Sequence, residues 1–276
     1  MKTRKINRRI GTFTVLSVFA ICCVYPIIWL FLNSFKDNKK LFSNPWGLPK
    51  SFQISNYIRA ITKGNIGQSF LNSAIITIIA VAVAVLLGAM VSYGVARLKF
   101  KASGFVKSLF LVGMSIPAYA AIVPLFSIFN SLKLLDSYSS VIIAQIVFAF
   151  PITVFILEGF FSTLPSELEE AAIMDGCSIL GGYFRIMMPI AKPSIVTVAV
   201  IDFINIWNDL LFPQILLSSQ NKMPLTVALT VFADLDSVDY TGMLAAVVLT
   251  IVPTVLVYIV LHDKIMEGMT AGAVKG

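Results

Sequence analysis

From Ile10 to Phe35 the chain carries no charged residue, and from Gly64 to Ala96 it carries none again. Uncharged runs of this length constrain the fold more than any other feature. A helix of about 20 predominantly apolar residues crosses the hydrocarbon core of a bilayer. Six segments meet that requirement, at roughly 11–33, 70–96, 108–130, 138–161, 194–217 and 241–261. The runs are continuous and do not alternate residue by residue, so they predict helices and not barrel strands. The expected fold class is an all-α membrane protein with six transmembrane helices. The basic start followed by an apolar run also fits a signal peptide, but the run is too long and Ile21 stands where a lipoprotein site needs a small residue. It is read as a retained span.

Only 13% of the residues are charged, about half the share of an average soluble domain. The net charge of +7 is not a nucleic-acid footprint. The cations gather in short clusters beside apolar spans, at Lys2, Arg4, Lys5, Arg8 and Arg9, and at Arg97, Lys99, Lys101 and Lys107. That pattern marks cytoplasmic segments and predicts both termini inside, giving an inner tail at 1–10 and another at 263–276. The outer loop 34–69 is itself basic, so the bias is modest. Cys22, Cys23 and Cys177 show neither a metal spacing nor a disulfide framework.

The polar island 163–192 stands between the fourth and fifth spans. Pro165 suits a helix start, and Ser166 with Glu169 has the spacing of a capping box. Glu167 to Met174 favours helix, with acids in the early turns, and Gly176 is placed to end it. A second stretch, Ile179 to Met188, carries Leu180, Tyr183, Phe184 and Met187 at a spacing that predicts a docking face. The loop has no basic face for reading DNA.

Glu170, Ala171, Ala172, Gly176, Ile186, Met188 and Pro189 follow the spacing Glu-Ala-Ala, three residues, Gly, nine residues, Ile, one residue, hydrophobe, Pro. This resembles the EAA loop of permease subunits of ATP-binding-cassette importers. Met188 departs mildly, where that family usually has Leu. The likeness extends to Asn72 and Ser73, to Tyr93, Ala96, Arg97 and Phe100, to Trp207, Asn208 and Asp209, and to the terminal Gly272 to Gly276. Together these are similar to carbohydrate-uptake permeases related to the smaller membrane subunit of the maltose transporter.

The resemblance implies a type I importer permease fold whose coupling helix docks on an ATPase subunit. It implies a second permease, two ATPase subunits, an extracytoplasmic solute-binding protein and a sugar substrate, in the inner membrane of a bacterium or archaeon. Glu170, Ala171, Ala172, Asp175, Gly176, Phe184 and Pro189 become the coupling candidates, and Gly272 and Lys275 candidates for tail contacts. ATP and Mg belong to the partner subunits, and this chain is expected to hold no cofactor or metal. Its nearest approach to a phosphate loop, Gly176 to Gly182, lacks the required Lys. His262 is the only histidine, and no nucleophile–base set accompanies it.

Asp202, Asn205, Asn208 and Asp209 interrupt the fifth span. Each Asp at mid-membrane costs roughly 2.5–3.5 kcal/mol, so neither can face lipid. On a continuous helix Asp202, Asn205 and Asp209 share a face and Asn208 points away. Interhelical bonding, a subunit interface and a solute path all fit. Pro26, Pro117, Pro124, Pro151, Pro213 and Pro253 are each expected to kink a span. The outer loops carry Trp46 and, at 218–240, Asp234, Asp236 and Asp239; the resemblance turns both loops toward the binding protein. A self-contained secondary transporter or channel is the competing class, but no internal repeat supports it.

Overall fold

The computed structural model describes residues 2–98, 100–232 and 238–273, with side chains described at 9, 11–98, 100–230, 232 and 238–263. The described elements are helical. They are α1 (Lys2–Asn33), α2 (Asn38–Ser43), α3 (Ser55–Lys63), α4 (Ile66–Arg97), α5 (Ser103–Met114), α6 (Ala118–Ser131), α7 (Tyr138–Phe161), α8 (Glu167–Met174) and α9 (Ile179–Gly182). A π-helical turn, Tyr183–Met187, then leads to α10 (Met188–Ile190), α11 (Lys192–Trp207), α12 (Leu211–Leu216), α13 (Leu225–Ala228) and α14 (Tyr240–Ala273).

Four helices are long and apolar enough to cross a membrane: Gly11–Asn33, Ile66–Arg97, Tyr138–Phe161 and Tyr240–Asp263. The segment 108–130 is not one straight helix. It is α5 and α6, bent by 101° at Ser115–Pro117. Pro117 has no N–H to continue the ladder of α5, and it starts α6 in an extended conformation. The other prolines behave differently. Pro26, Pro124, Pro151 and Pro253 lie inside continuous helices, and Pro213 occupies the first turn of α12, where a missing donor costs least. The fifth apolar segment also divides. α11 ends at Trp207, and α12 begins after Asp209.

The chain forms two compact units, Met1–Ile66 with Leu229–Val252, and Gly67–Ala228 with Pro253–Gly276. In the first, Asn56 Nδ2 donates to Ser34 O and Lys36 O at 2.6 and 2.7 Å, tying α3 back to the end of α1. Buried Lys36 donates to Asn44 O at 2.8 Å, and burial lowers its pKa. Arg59 pairs with Asp239 at 2.9 Å. Burial pushes the Asp239 carboxyl up, but Arg59 and the Gly242 N–H outweigh it and hold the group below its usual value. Asp234 and Asp236 lie outside the described residues.

In the second unit α4 packs on α7 through small residues. Ala80, Ala84 and Ala89 are fully buried, as is Ala144. Without a hydrophobic drive between helices in lipid, close backbone approach supplies the packing energy. Gly88 shows how close the approach is: a Cβ there would stand 2.4 Å from Thr153 Cγ2. Two apolar clusters follow along this seam. One holds Ile76, Phe129, Val141, Ile206, Phe212 and Leu216. The other joins Val85, Tyr93, Leu157 and Phe161 to Tyr183 and Met187 of the polar island. That second cluster positions the candidate site.

Candidate functional site

The island between α7 and α11 is a folded hairpin of short helices. α8 runs from Glu167 to Met174, with Glu167, Glu169 and Glu170 in its first turn, where acids complement the helix dipole. The capping box does not form. Ser166 has helical dihedrals and makes no side-chain cap bond, and Glu169 reaches across to Arg97 at 2.9 Å. Gly176 follows the helix at φ +78°, a left-handed conformation that glycine adopts without strain. Its N–H bonds to Ile173 O, and Cys177 N–H bonds to Ala172 O, both at 2.9 Å. Ser178 then caps α9 by accepting from Gly181 N at 3.1 Å.

The two short helices pack on each other where Ala172 and Gly182 are buried. A Cβ at Gly182 would lie 3.9 Å from Ala172 Cβ. The small side chain of Ala172 thus serves the hairpin's own packing. The predicted docking face is corrected in the same way. Tyr183 and Met187 are 3% and 0% exposed, and anchor the hairpin in the core. Leu180 and Phe184 are 62% and 56% exposed, and Ile173, Met174 and Ile179 join them on the surface. Glu170, Ala171, Asp175, Gly176 and Pro189 are exposed as well.

The four polar residues of the fifth segment do not form one stripe. Asp202 is 1% exposed and bonds to Thr153 Oγ1 of α7 at 2.7 Å. Asp209 lies beyond the end of α11. Its carboxylate accepts from Leu211 N and Phe212 N, both at 3.2 Å, and from Gln145 Nε2 at 2.7 Å. It caps α12 and ties it to α7. Asn205 and Asn208 are exposed, and Asn208 Nδ2 returns to Ile204 O at 2.7 Å. The two acids thus meet the requirement for a buried partner through interhelical bonds. The two amides stay on the surface.

Residues 84–265 match the family model described as the binding-protein-dependent transport system inner membrane component. That span contains the hairpin and the helices on both sides of it. The chain belongs to this family of membrane permeases. The diacetylchitobiose uptake system permease of Streptomyces coelicolor is 35% identical over 94% of this chain and 86% of that one. The arabinooligosaccharides transport system permease of Halalkalibacterium halodurans is 34% identical, covering 93% of each. A bacterial ABC transporter involved in import of the acidic polysaccharide alginate has a chain of the same fold. Its TM-score is 0.80 at 24% identity, over 92% of this chain and 95% of that one.

Three charge clusters of the permease went unremarked in its sequence. Arg97 holds Glu169 and the turn before α8. Lys107 of α5 pairs with Glu158 of α7 at 2.8 Å; the signal was a lone acid in an otherwise uncharged helix, which demands a partner. Asp136, at φ +53°, collects Ser218 N, Ser219 N, Ser219 Oγ and Lys222 Nζ. Of the tail candidates, Gly272 is described only as helical backbone and Lys275 lies outside the described residues.

Proposed function

We propose that this chain is one of two permease subunits of an ATP-driven, binding-protein-dependent oligosaccharide importer, with both termini and the 163–192 hairpin on the cytoplasmic side. The oligosaccharide class rests on the names of the relatives, which take up diacetylchitobiose and arabinooligosaccharides. The hairpin docks on an ATPase subunit, and that subunit binds ATP and Mg. Glu170 and Asp175 supply charge at the contact, Gly176 makes the turn, and Leu180 and Phe184 supply apolar area. Ala171 and Pro189 flank that surface.

One observation carries the reading. A hairpin anchored by two buried side chains, Tyr183 and Met187, holds five large apolar residues in the open around Gly176. A loop with no partner would not be expected to display them so. Closure of the ATPase dimer can shift the permease only through contacts that differ between its two states, and this hairpin is suited to make them. The test is co-purification. The membrane-extracted chain is expected to retain its cognate ATPase subunit, and Gly176→Asp is expected to release it. Equal retention by both forms would remove the hairpin from the coupling role.

A further inference from the structure

Arg97 is the last residue of α4, and its side chain is only 9% exposed. Its Nε and Nη2 both lie 2.9 Å from Glu169 Oε2. Nη1 donates to Leu164 O at 2.8 Å and Nη2 to Pro165 O at 3.1 Å. One guanidinium thus grips the turn that leads into α8 and the first turn of α8 itself. Arginine suits this, because its planar fork presents several fixed donors and never loses its charge. Tyr93, Arg97, Glu169, Ala172, Ile173 and Gly182 line one small cleft around the pair.

Neighbouring acids divide the work. Glu169 turns inward to Arg97, and Glu170, about 100° further round the helix, is exposed. Among the described residues, no ion pair ties the far end of α8. A Cβ at Gly176 would meet nothing within 4 Å. The start of α8 therefore cannot be displaced without either moving α4 or breaking three hydrogen bonds and the ion pair with Glu169.

We infer that the Arg97–Glu169 pair is a strut that carries displacement of α8 into α4, making Arg97 a positioning residue for the transport cycle. This rests on the coupling role proposed for the hairpin. α4 is a single unbroken helix of 32 residues, so a push at Arg97 reaches Leu71 near its other end, about 40 Å away at 1.5 Å per residue. The pair is mostly shielded from solvent, so salt screens it weakly.

The test uses the assembled complex with its ATPase subunits, with Cys22, Cys23 and Cys177 replaced by serine. Leu71→Cys, exposed near the start of α4, reports through its rate of reaction with a maleimide. The trigger is a non-hydrolysable ATP analogue with Mg. The parent is expected to change its labelling rate on nucleotide addition. Arg97→Gln is expected to lose at least two thirds of that change while still retaining ATPase subunits and their nucleotide binding. Glu169→Gln is the milder variant and carries the same test if Arg97→Gln fails to reach the membrane. The double variant should be no worse than the worse single variant, because both break one link. A full response in Arg97→Gln or Glu169→Gln, no response in the parent, or losses that multiply in the double variant would overturn the strut. Failure of the parent to retain ATPase subunits would instead overturn the coupling role itself.

Discussion

The turn before α7 and the hairpin after it lie at opposite ends of one helix of 24 residues, about 36 Å long, and are built in opposite ways. Before α7, the polar groups are satisfied within the chain. Asp136 binds the loop at Ser218, Ser219 and Lys222. Asn72 donates to Asn221 O at 2.9 Å and Met223 O at 3.0 Å, and its own oxygen accepts from Tyr138 and Gln68. Ser73 Oγ accepts from Leu225 N at 2.9 Å. After α7, Arg97, Tyr183 and Met187 anchor the base of the hairpin, and its tip displays Ile173, Met174, Ile179, Leu180 and Phe184. The first loop is closed on its own scaffold. The second is anchored at its base and leaves its apolar tip exposed. Substitutions in the first should cost stability and leave ATPase binding alone, and substitutions at the tip of the second should do the reverse.

Gly176→Asp is the strongest way to break the contrast. An L-residue at φ +78° carries strain of about 1–3 kcal/mol, and Asp adds charge at the proposed contact. Uptake through the complex should fall tenfold or more, with membrane insertion unchanged; unaltered uptake would return the hairpin to a connector. Asn72→Ala comes next. Removing the fully buried Asn72 amide, and with it the partner of two carbonyls and a tyrosine hydroxyl, should cost about 1–3 kcal/mol, seen as a lower unfolding midpoint in detergent with ATPase retention intact.

Phe184→Ser should be smaller, weakening ATPase retention a few-fold without lowering the midpoint. A lower midpoint would mean that Phe184 serves the core. The smallest effect belongs to Asp136. The Ser219 hydroxyl, the Ser219 and Ser218 N–H groups and Lys222 hold its carboxyl far below its ordinary value of 3.8. Its contribution is therefore complete above pH 3.8 and lost only as pH falls through the folded value. Asp136→Asn should flatten the acid limb of stability and leave neutral-pH ATPase binding unchanged.

How much of this could be read from the residues depends on how local each cause is. The apolar runs and the turn at Gly176 have local causes, uninterrupted hydropathy and a backbone conformation only glycine adopts freely. Pro117 signalled a kink at Ser115–Pro117, but not a 101° break, because hydropathy runs straight through it. The Ser166–Glu169 cap failed because Arg97, far back in the chain, competes for the same carboxylate with a charge-assisted bond. Leu180, Tyr183, Phe184 and Met187 were placed on one face by a 3.6-residue period. A π-helical turn over Tyr183–Met187 changes that period, so Tyr183 and Met187 turn to the core and Leu180 and Phe184 to solvent. Asp209 looked like part of a membrane stripe because nothing nearby shows that α11 ends at Trp207.

The contrast between the two loops can be measured in one experiment. Leu180→Cys and Ser219→Cys are each introduced into a chain lacking Cys22, Cys23 and Cys177, and maleimide labelling is followed with and without the ATPase subunits, in the absence of binding protein. Leu180→Cys should label readily in the isolated chain and be protected at least fivefold in the complex, while Ser219→Cys labels at one rate in both. Equal labelling of Leu180→Cys in the two preparations would contradict the account.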